Sequence, residues 1–336
     1  VRVQEHRYSN NIFNKKIAIL GPIAPPLGGV SVHISRVVAK FKRQSNCVVQ
    51  HDTEQDHNPF IRYINLIVFL LVKTPRLDFL YYHTLYHHGS EFFFVLFFKI
   101  FLGYKLVVVD HNCRYLYKKT FFYTLLYKKF FRSINTCIVI GDKTYKSYRD
   151  NNICVNNILI ESPFLPPDST QEQVVCATYP KSLYNFLDTH SPIIIVNAFK
   201  LVLWENRDLY GIDQSIEMLG AIVKKYPNTG LIFALAGQGD QEYYKQILAR
   251  IHKKKLSSSV YIFEGQRELW PLFGRADLFV RPTLSDGYSV SVVEALYFGV
   301  SVVSSDVCAR PSECALYETG NIDDFSRVVM DVIFNA

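Results

Sequence analysis

Short unbroken apolar runs alternate with stretches of helical spacing along most of the chain. Ile17 to Leu20 is the first such run, preceded by Lys15 and Lys16 and followed by a Gly/Pro loop. Four apolar residues without polar alternation predict a strand buried on both faces of a parallel sheet. Beyond GPIAPPLGG, apolar residues at Val32, Ile34, Val37, Val38 and Phe41 mark one face of a helix over 31–41. Further strands are predicted at 79–82, 106–109 and 137–140, with helical stretches between them. Prolines at 163, 166, 167, 180 and 192 break the pattern and predict a linker over 166–192. Alternation restarts with strands at 193–196, 231–236, 260–263, 278–280 and 301–304. Helices are predicted at 214–225, 242–254, 269–273 and 290–298, and from Asp323 onward. The chain is therefore read as α/β: a doubly wound domain over 1–165, the linker, and a second such domain over 193–336. A cleft between them, at the carboxyl ends of the strands, is the expected ligand site.

Composition changes this picture little. Of 336 residues, 49% are hydrophobic and 20% charged, enough for two packed cores and incompatible with a disordered chain. The formal charge of +7 suits an anionic small molecule or an acidic membrane surface and falls short of a nucleic-acid stripe. Seven scattered cysteines with no C-x-x-C pair predict a reducing compartment and no disulfide framework. The start has no apolar h-region, so no signal peptide is expected, and the runs at 66–72 and 92–102 are too short to span a bilayer. A cytoplasmic protein is expected.

Two features carry chemistry. Gly28-Gly29 precedes a helix whose unpaired N–H groups suit an anion, though the same pair fits a plain strand-to-helix turn. More specific is RPTLSDGYSVSVVEALYFGVSVVSSD from Arg281. Asp286 lies in the loop before a helix and Glu294 in its second turn, eight positions on, with a phosphate-favouring helix end between them. A solvated Glu294 and a capping Asp286 would give the same spacing.

DGYSVSVVEAL followed by GVSVV resembles the E-x7-E signature of retaining glycosyltransferases with the GT-B fold, family 4. Other matches follow in order: GGVSVH, Asp110-His111 at a strand end, YGID at 210–213, AGQG at 236–239, FEG at 263–265 and ADLFVRPT at 276–283. The resemblance implies two Rossmann-like domains facing across a cleft, the first on the acceptor side and the second holding the donor. It implies transfer of a sugar from a nucleotide diphosphate, UDP ahead of GDP, with retention. Glu294 would bind the ribose and Asp286 the sugar hydroxyls. Backbone amides at Gly28, Gly29, Gly287, Tyr288 and Ser289 would hold the diphosphate, and His111 would lie beside the transferred sugar. Gly265, Gln266 and Arg267 would line the base. Without a D-x-D motif no catalytic metal is expected and no other cofactor, so protein cations must stabilise the leaving group.

Two departures stand out. The first acid is Asp, one methylene shorter than the family's Glu. The family's phosphate-binding Arg and Lys are replaced by Ala198 and Tyr210, so Lys200 or Arg207, read as loop cations, would supply the charge, with Lys200 first. Asp286 and the missing pair also motivate a second reading, a binding or regulatory subunit without turnover. A nicotinamide enzyme is disfavoured because no G-x-G-x-x-G follows the first strand. His83, His87 and His88 lack an acidic or Cys partner at ligand spacing and are read as an acceptor-side loop rather than a metal site. The run from Phe121 to Arg132 mixes aromatic and basic residues. It suits either a membrane interface, as a lipid-linked or other surface-glycan acceptor would favour, or a core helix with one basic face. Peripheral contact with the inner face of the plasma membrane goes with the first of these. The family's further carboxy-terminal helix would lie beyond Ala336, so a truncated or short member is expected.

Overall fold

The computed structural model describes residues 12–24, 29–53, 58–73, 76–84, 89–111, 132–152, 155, 157–162, 164–287 and 289–335. The chain divides into two compact units, Val1–Leu165 and Pro166–Ala336.

In the first unit, strands β1 (Lys16–Gly21), β2 (Cys47–Asp52), β3 (Phe79–Thr84), β4 (Lys105–Asp110), β5 (Thr136–Ile140) and β6 (Ile158–Glu161) form one parallel sheet. Their order is β2-β1-β3-β4-β5-β6. Alternate residues feed two cores, as strand pleating requires. Ala18, Leu20, Leu80, Tyr82, Leu106 and Val108 join one core with residues of helices α2 (Pro59–Val72) and α3 (Gly89–Leu102). Ile17, Ile19, Tyr81, Val107 and Val109 join the other with Ile34, Val38 and Phe41 of α1 (Gly29–Arg43). Helix α4 (Asp142–Asp150) follows β5.

The second unit repeats the plan. Strands β7 (Ile193–Leu201), β10 (Gly230–Gly239), β11 (Val260–Glu264), β12 (Leu278–Arg281), β13 (Ser301–Ser305) and β14 (Ala315–Tyr317) run parallel in the order β11-β10-β7-β12-β13-β14. Ile194, Val196, Phe233 and Val280 face one core; Ile193, Ile195, Ile232 and Phe279 face the other. A small antiparallel hairpin, β8 (Leu203–Trp204) and β9 (Arg207–Asp208), leads into helix α7 (Ile212–Ile222).

Residues 166–192, expected to be a linker, instead fold onto the second unit. Helices α5 (Glu172–Cys176) and α6 (Lys181–Thr189) lie there, and Leu183, Phe186 and Leu187 are buried in one of its cores. Their i, i+3, i+4 spacing makes an apolar stripe that the flanking prolines do not cancel. The remaining helices are α8 (Gln241–Lys253), α9 (Trp270–Phe273), α10 (Val290–Tyr297) and α11 (Ile322–Phe334). Among the described residues no helix is long and apolar enough to cross a membrane.

Candidate functional site

The sequence motif at 281–294 folds at the carboxyl edge of the second sheet. β12 ends at Arg281, and its register places Val280 beside Val196 of β7. Arg281 therefore reaches the adjoining residue, and its Nη1 donates to the Asn197 carbonyl at 3.2 Å and to Asn197 Oδ1 at 3.0 Å. Its Nε donates to Asp286 Oδ2 at 3.1 Å, and its guanidinium lies 5.2 Å from the centroid of the Tyr210 ring. Arg310, from the loop after β13, donates Nη1 to the same Asp286 oxygen at 3.0 Å. It is held in turn by the Ser305 carbonyl at 3.3 Å and the Thr283 hydroxyl at 3.4 Å.

Asp286 is thus the anchor of two guanidiniums. Its Oδ1 accepts from the Gly287 N–H at 2.9 Å. Burial alone would raise its pKa, but Arg281 and Arg310 outweigh that and hold the carboxyl below its ordinary value. One carboxylate against two guanidiniums leaves the cluster with a net positive charge. The Arg310 side chain is 1% exposed, so this charge is fixed in a site with little water.

Helix α10 begins just beyond. Its N-cap, Ser289, makes no capping hydrogen bond with its side chain; the Ser289 hydroxyl instead meets Ser291 Oγ at 3.2 Å. The N–H groups of the first turn are therefore not used by the cap and remain suited to an anion. Glu294, in the second turn, is buried at 8% exposed. Neither acid of the pair is turned out to bulk water. Tyr288 lies outside the described residues.

Entry to α7 is built by Asp208 and Gly211. Asp208 accepts from the N–H groups of Tyr210 at 2.9 Å and of Gly211 and Ile212 at 3.2 Å each, and from the Tyr243 hydroxyl at 3.1 Å. Burial, reinforced by the charge of Asp213, still pushes its carboxyl up to about 6. Gly211 has φ +68°, and a Cβ there would lie 2.1 Å from the Pro282 carbonyl oxygen. Only glycine lets this turn press against the loop that carries Asp286.

The two cations expected in a loop are not loop residues. Lys200 lies within β7, which runs on to Leu201 because β10 extends alongside it, pairing Gly237 with Lys200 and Gly239 with Leu201. Arg207 lies in β9, its guanidinium against Gly320 beyond β14. Both are exposed. The cations brought to Asp286 are Arg281 and Arg310, neither singled out from the sequence. Arg281 had a signal, a cation ending the buried run Leu278–Val280; Arg310 had none.

At the end of β11, Gly265 has φ +102° and packs against Arg267. The Arg267 guanidinium donates to the Glu264 and Thr178 carbonyls, the latter at 3.0 Å, and covers the Phe263 ring at 5.3 Å. Gln266 between them is exposed.

In the first unit, Gly28 lies outside the described residues and Gly29 opens α1, where a Cβ would meet nothing within 4 Å. His111 follows β4, and its Nε2 is 3.1 Å from His83 Nδ1. His83 is not in a loop but in β3, buried; His87 and His88 lie outside the described residues, as does most of the run 121–132.

The model of the family "Glycosyl transferases group 1" matches residues 202–328. The chain is 26% identical over 98 residues to the lipopolysaccharide glucosyltransferase WaaG of Escherichia coli K12, covering 29% of this chain and 25% of that protein. It is 31% identical over 103 residues to an uncharacterized glycosyltransferase of Methanocaldococcus jannaschii, covering 31% of this chain and 24% of that protein. The chain thus spans about a quarter of the length of the curated relatives it matches. Among solved structures, HepE of Anabaena in complex with UDP and glucose superposes with TM-score 0.61 at 12% identity, over 96% of this chain and 90% of that one. A glycosyltransferase of Rickettsia africae superposes with TM-score 0.64 at 11% identity, over 95% and 88%. At these identities the structural likeness establishes the fold.

Proposed function

We propose that this chain, whose residues 202–328 match the model of the glycosyl transferases group 1 family and whose two parallel α/β sheets match those of GT-B glycosyltransferases, transfers a sugar from a nucleotide diphosphate donor, with retention. The observation that carries this reading is the positive cluster of Arg281, Arg310 and Asp286 set before the start of α10. Breaking the bond between sugar and diphosphate builds positive charge on the sugar and negative charge on the departing phosphate. Fixed cations and N–H groups aimed at that phosphate stabilise the transition state more than the ground state; losing one such donor typically costs about 3 kcal/mol of barrier.

In this reading the amides of Gly287, Tyr288 and Ser289 and the first turn of α10 hold the diphosphate, joined by those of Gly28 and Gly29. Glu294 binds the ribose, and the turn at Gly265, Gln266 and Arg267 lines the base. Asp286 keeps the two arginines in place, with its less engaged Oδ1 left for a sugar hydroxyl. Lys200 and Arg207 are surface cations that reach the leaving group by side-chain movement. His111 lies on the acceptor side, beside the transferred sugar. UDP is favoured over GDP, as HepE holds UDP and glucose.

The acceptor is proposed to be a glycan or a lipid-linked sugar, met at the cytoplasmic face of a membrane. WaaG, the matched relative, is a lipopolysaccharide glucosyltransferase. Exposed apolar residues on α2 and α3 (Phe60, Val68, Leu71, Ile100 and Phe101) suit contact with a lipid surface. Ala198 and Tyr210 in place of the family's phosphate-binding pair favour one alternative, a subunit that binds nucleotide without turnover.

The test is nucleotide release from a panel of UDP- and GDP-sugars, paired with calorimetric titration of each nucleotide. Acceptor-dependent release from one donor supports transfer. Tight nucleotide binding without release supports the binding subunit, and absence of nucleotide binding overturns both.

A further inference from the structure

The histidines of the first unit do more than line a loop. His83 is the fifth residue of β3, 2% exposed, and Thr84 after it pairs with Asp110 of β4, the neighbour of His111. His33, 4% exposed, comes from α1, which covers that face of the sheet. The His33 ring stands edge-on to His111 at 5.0 Å between centroids and 5.9 Å from His83. One ring nitrogen from each of the three lies within 4.8 Å of both others. Gly21, at the end of β1, makes the convergence possible. A Cβ there would stand 2.7 Å from Ile34 Cδ1 and 2.9 Å from His83 Cβ, forcing α1 and β3 apart.

This arrangement is poorly explained by packing alone. His83 uses Nδ1 on His111, while its Nε2 is buried and makes no hydrogen bond among the described residues. Of the two ring nitrogens that meet at 3.1 Å, one carries the proton of their hydrogen bond in the metal-free protein, and an ion held by both lone pairs would take that proton's place. Burial, and then the cost of placing a second positive charge beside His33, push His83 well below its ordinary pKa. Burial and the other two histidines do the same to His111. Neutral rings keep the lone pairs that a metal needs. His33 and His83 also line a cavity of about 30 Å³ with Lys40 and Glu161, room for one further ligand such as water.

We propose that His33, His83 and His111 form a binding site for a first-row divalent transition metal, zinc foremost, with a fourth position open to the cavity beside Lys40 and Glu161. Two nitrogens on a tetrahedral zinc, each about 2.0–2.1 Å from the ion, lie about 3.3 Å apart. The His83–His111 pair at 3.1 Å already has that spacing. The wider separation within 4.8 Å is closed by side-chain rotation of His33. Three imidazoles suit zinc, nickel, cobalt or copper; magnesium and calcium take oxygen ligands.

His111 is shared with the sugar-transfer reading, so the assignment is tested by metal binding alone, without a donor. The full chain, stripped with a chelator and dialysed, is titrated with zinc in competition with a chromophoric chelator, and separately with cobalt(II) while the visible spectrum is recorded. One equivalent of zinc and the intense visible bands of four-coordinate cobalt are expected. His33→Gln, His83→Gln and His111→Gln should each weaken zinc binding by more than about 100-fold, beyond the 10–100-fold typical of an outer partner. Each should also remove the cobalt bands. Circular dichroism in chelator confirms that each variant is folded; if His83→Gln is not, the other two carry the test. Substoichiometric binding by the parent chain, or unchanged zinc affinity in any folded variant, overturns the site.

Discussion

Replacing Asp286 with alanine leaves Arg281 and Arg310 facing each other without the carboxylate that both now touch, at 3.1 and 3.0 Å. The side chains are 11%, 1% and 12% exposed for Arg281, Arg310 and Asp286, so water screens little of the repulsion. Removing one partner of a buried ion pair typically costs about 3–5 kcal/mol. For a unit of this size each kcal/mol moves the melting temperature by about 2–4 °C, so a drop of about 6–20 °C is expected. Calorimetry without nucleotide reads it directly. The double variant D286A/R310M, which removes the buried guanidinium as well, should recover much of the loss.

Acid provides an independent check. The arginines hold the Asp286 carboxyl below its ordinary value. Its contribution is therefore fully present above the unfolded-state pKa of about 4 and is lost as pH falls through the lower native value. The stability of the parent chain should fall in that range more steeply than that of D286A. A shift in melting temperature under about 2 °C for D286A, less than 1 kcal/mol on the same scale, would refute the idea that Asp286 is a structural counter-ion.

Glu294→Gln keeps the shape of a buried side chain while removing its charge. If Glu294 binds the ribose, UDP affinity measured by titration calorimetry should fall by about tenfold to a hundredfold, as for a hydrogen bond to a charged group. Asp208, pushed up to about 6, acts in the opposite sense to Asp286. The folded state holds this proton more tightly than the unfolded chain, so its contribution is full below about pH 4 and is lost as pH rises through 6. Urea unfolding at pH 4.5 and 7 should show that decline, and Asp208→Asn should flatten it. Gly211→Ala meets both a positive φ and the Pro282 carbonyl, and a loss of at least about 2 kcal/mol in urea unfolding is expected.

Most central strands could be read from the chain. Leu106–Val109 and Ile193–Val196 are buried on both faces, and such runs carry their own signal. Cys47–Asp52 and Ala315–Tyr317 carry no such signal because they lie at sheet edges, where polar residues interrupt short apolar stretches. Prolines mask the stripe of Leu183, Phe186 and Leu187, and β7 outlasts its apolar run because β10 continues beside Asn197 and Lys200.

Asp286, Gly287 and Glu294 are legible in the sequence because they lie within one loop and one helix. By itself the sequence determined the alternating elements, the family resemblance and the pairing of Asp286 with the start of α10. Tertiary structure decided which cations meet Asp286, since Arg281 and Arg310 stand 29 positions apart and are joined only by the strand register and the loop after β13. It also decided that His33, His83 and His111 share one site. Periodicity and spacing are local properties of the chain; the encounter of distant side chains depends on sheet order, which no local pattern encodes.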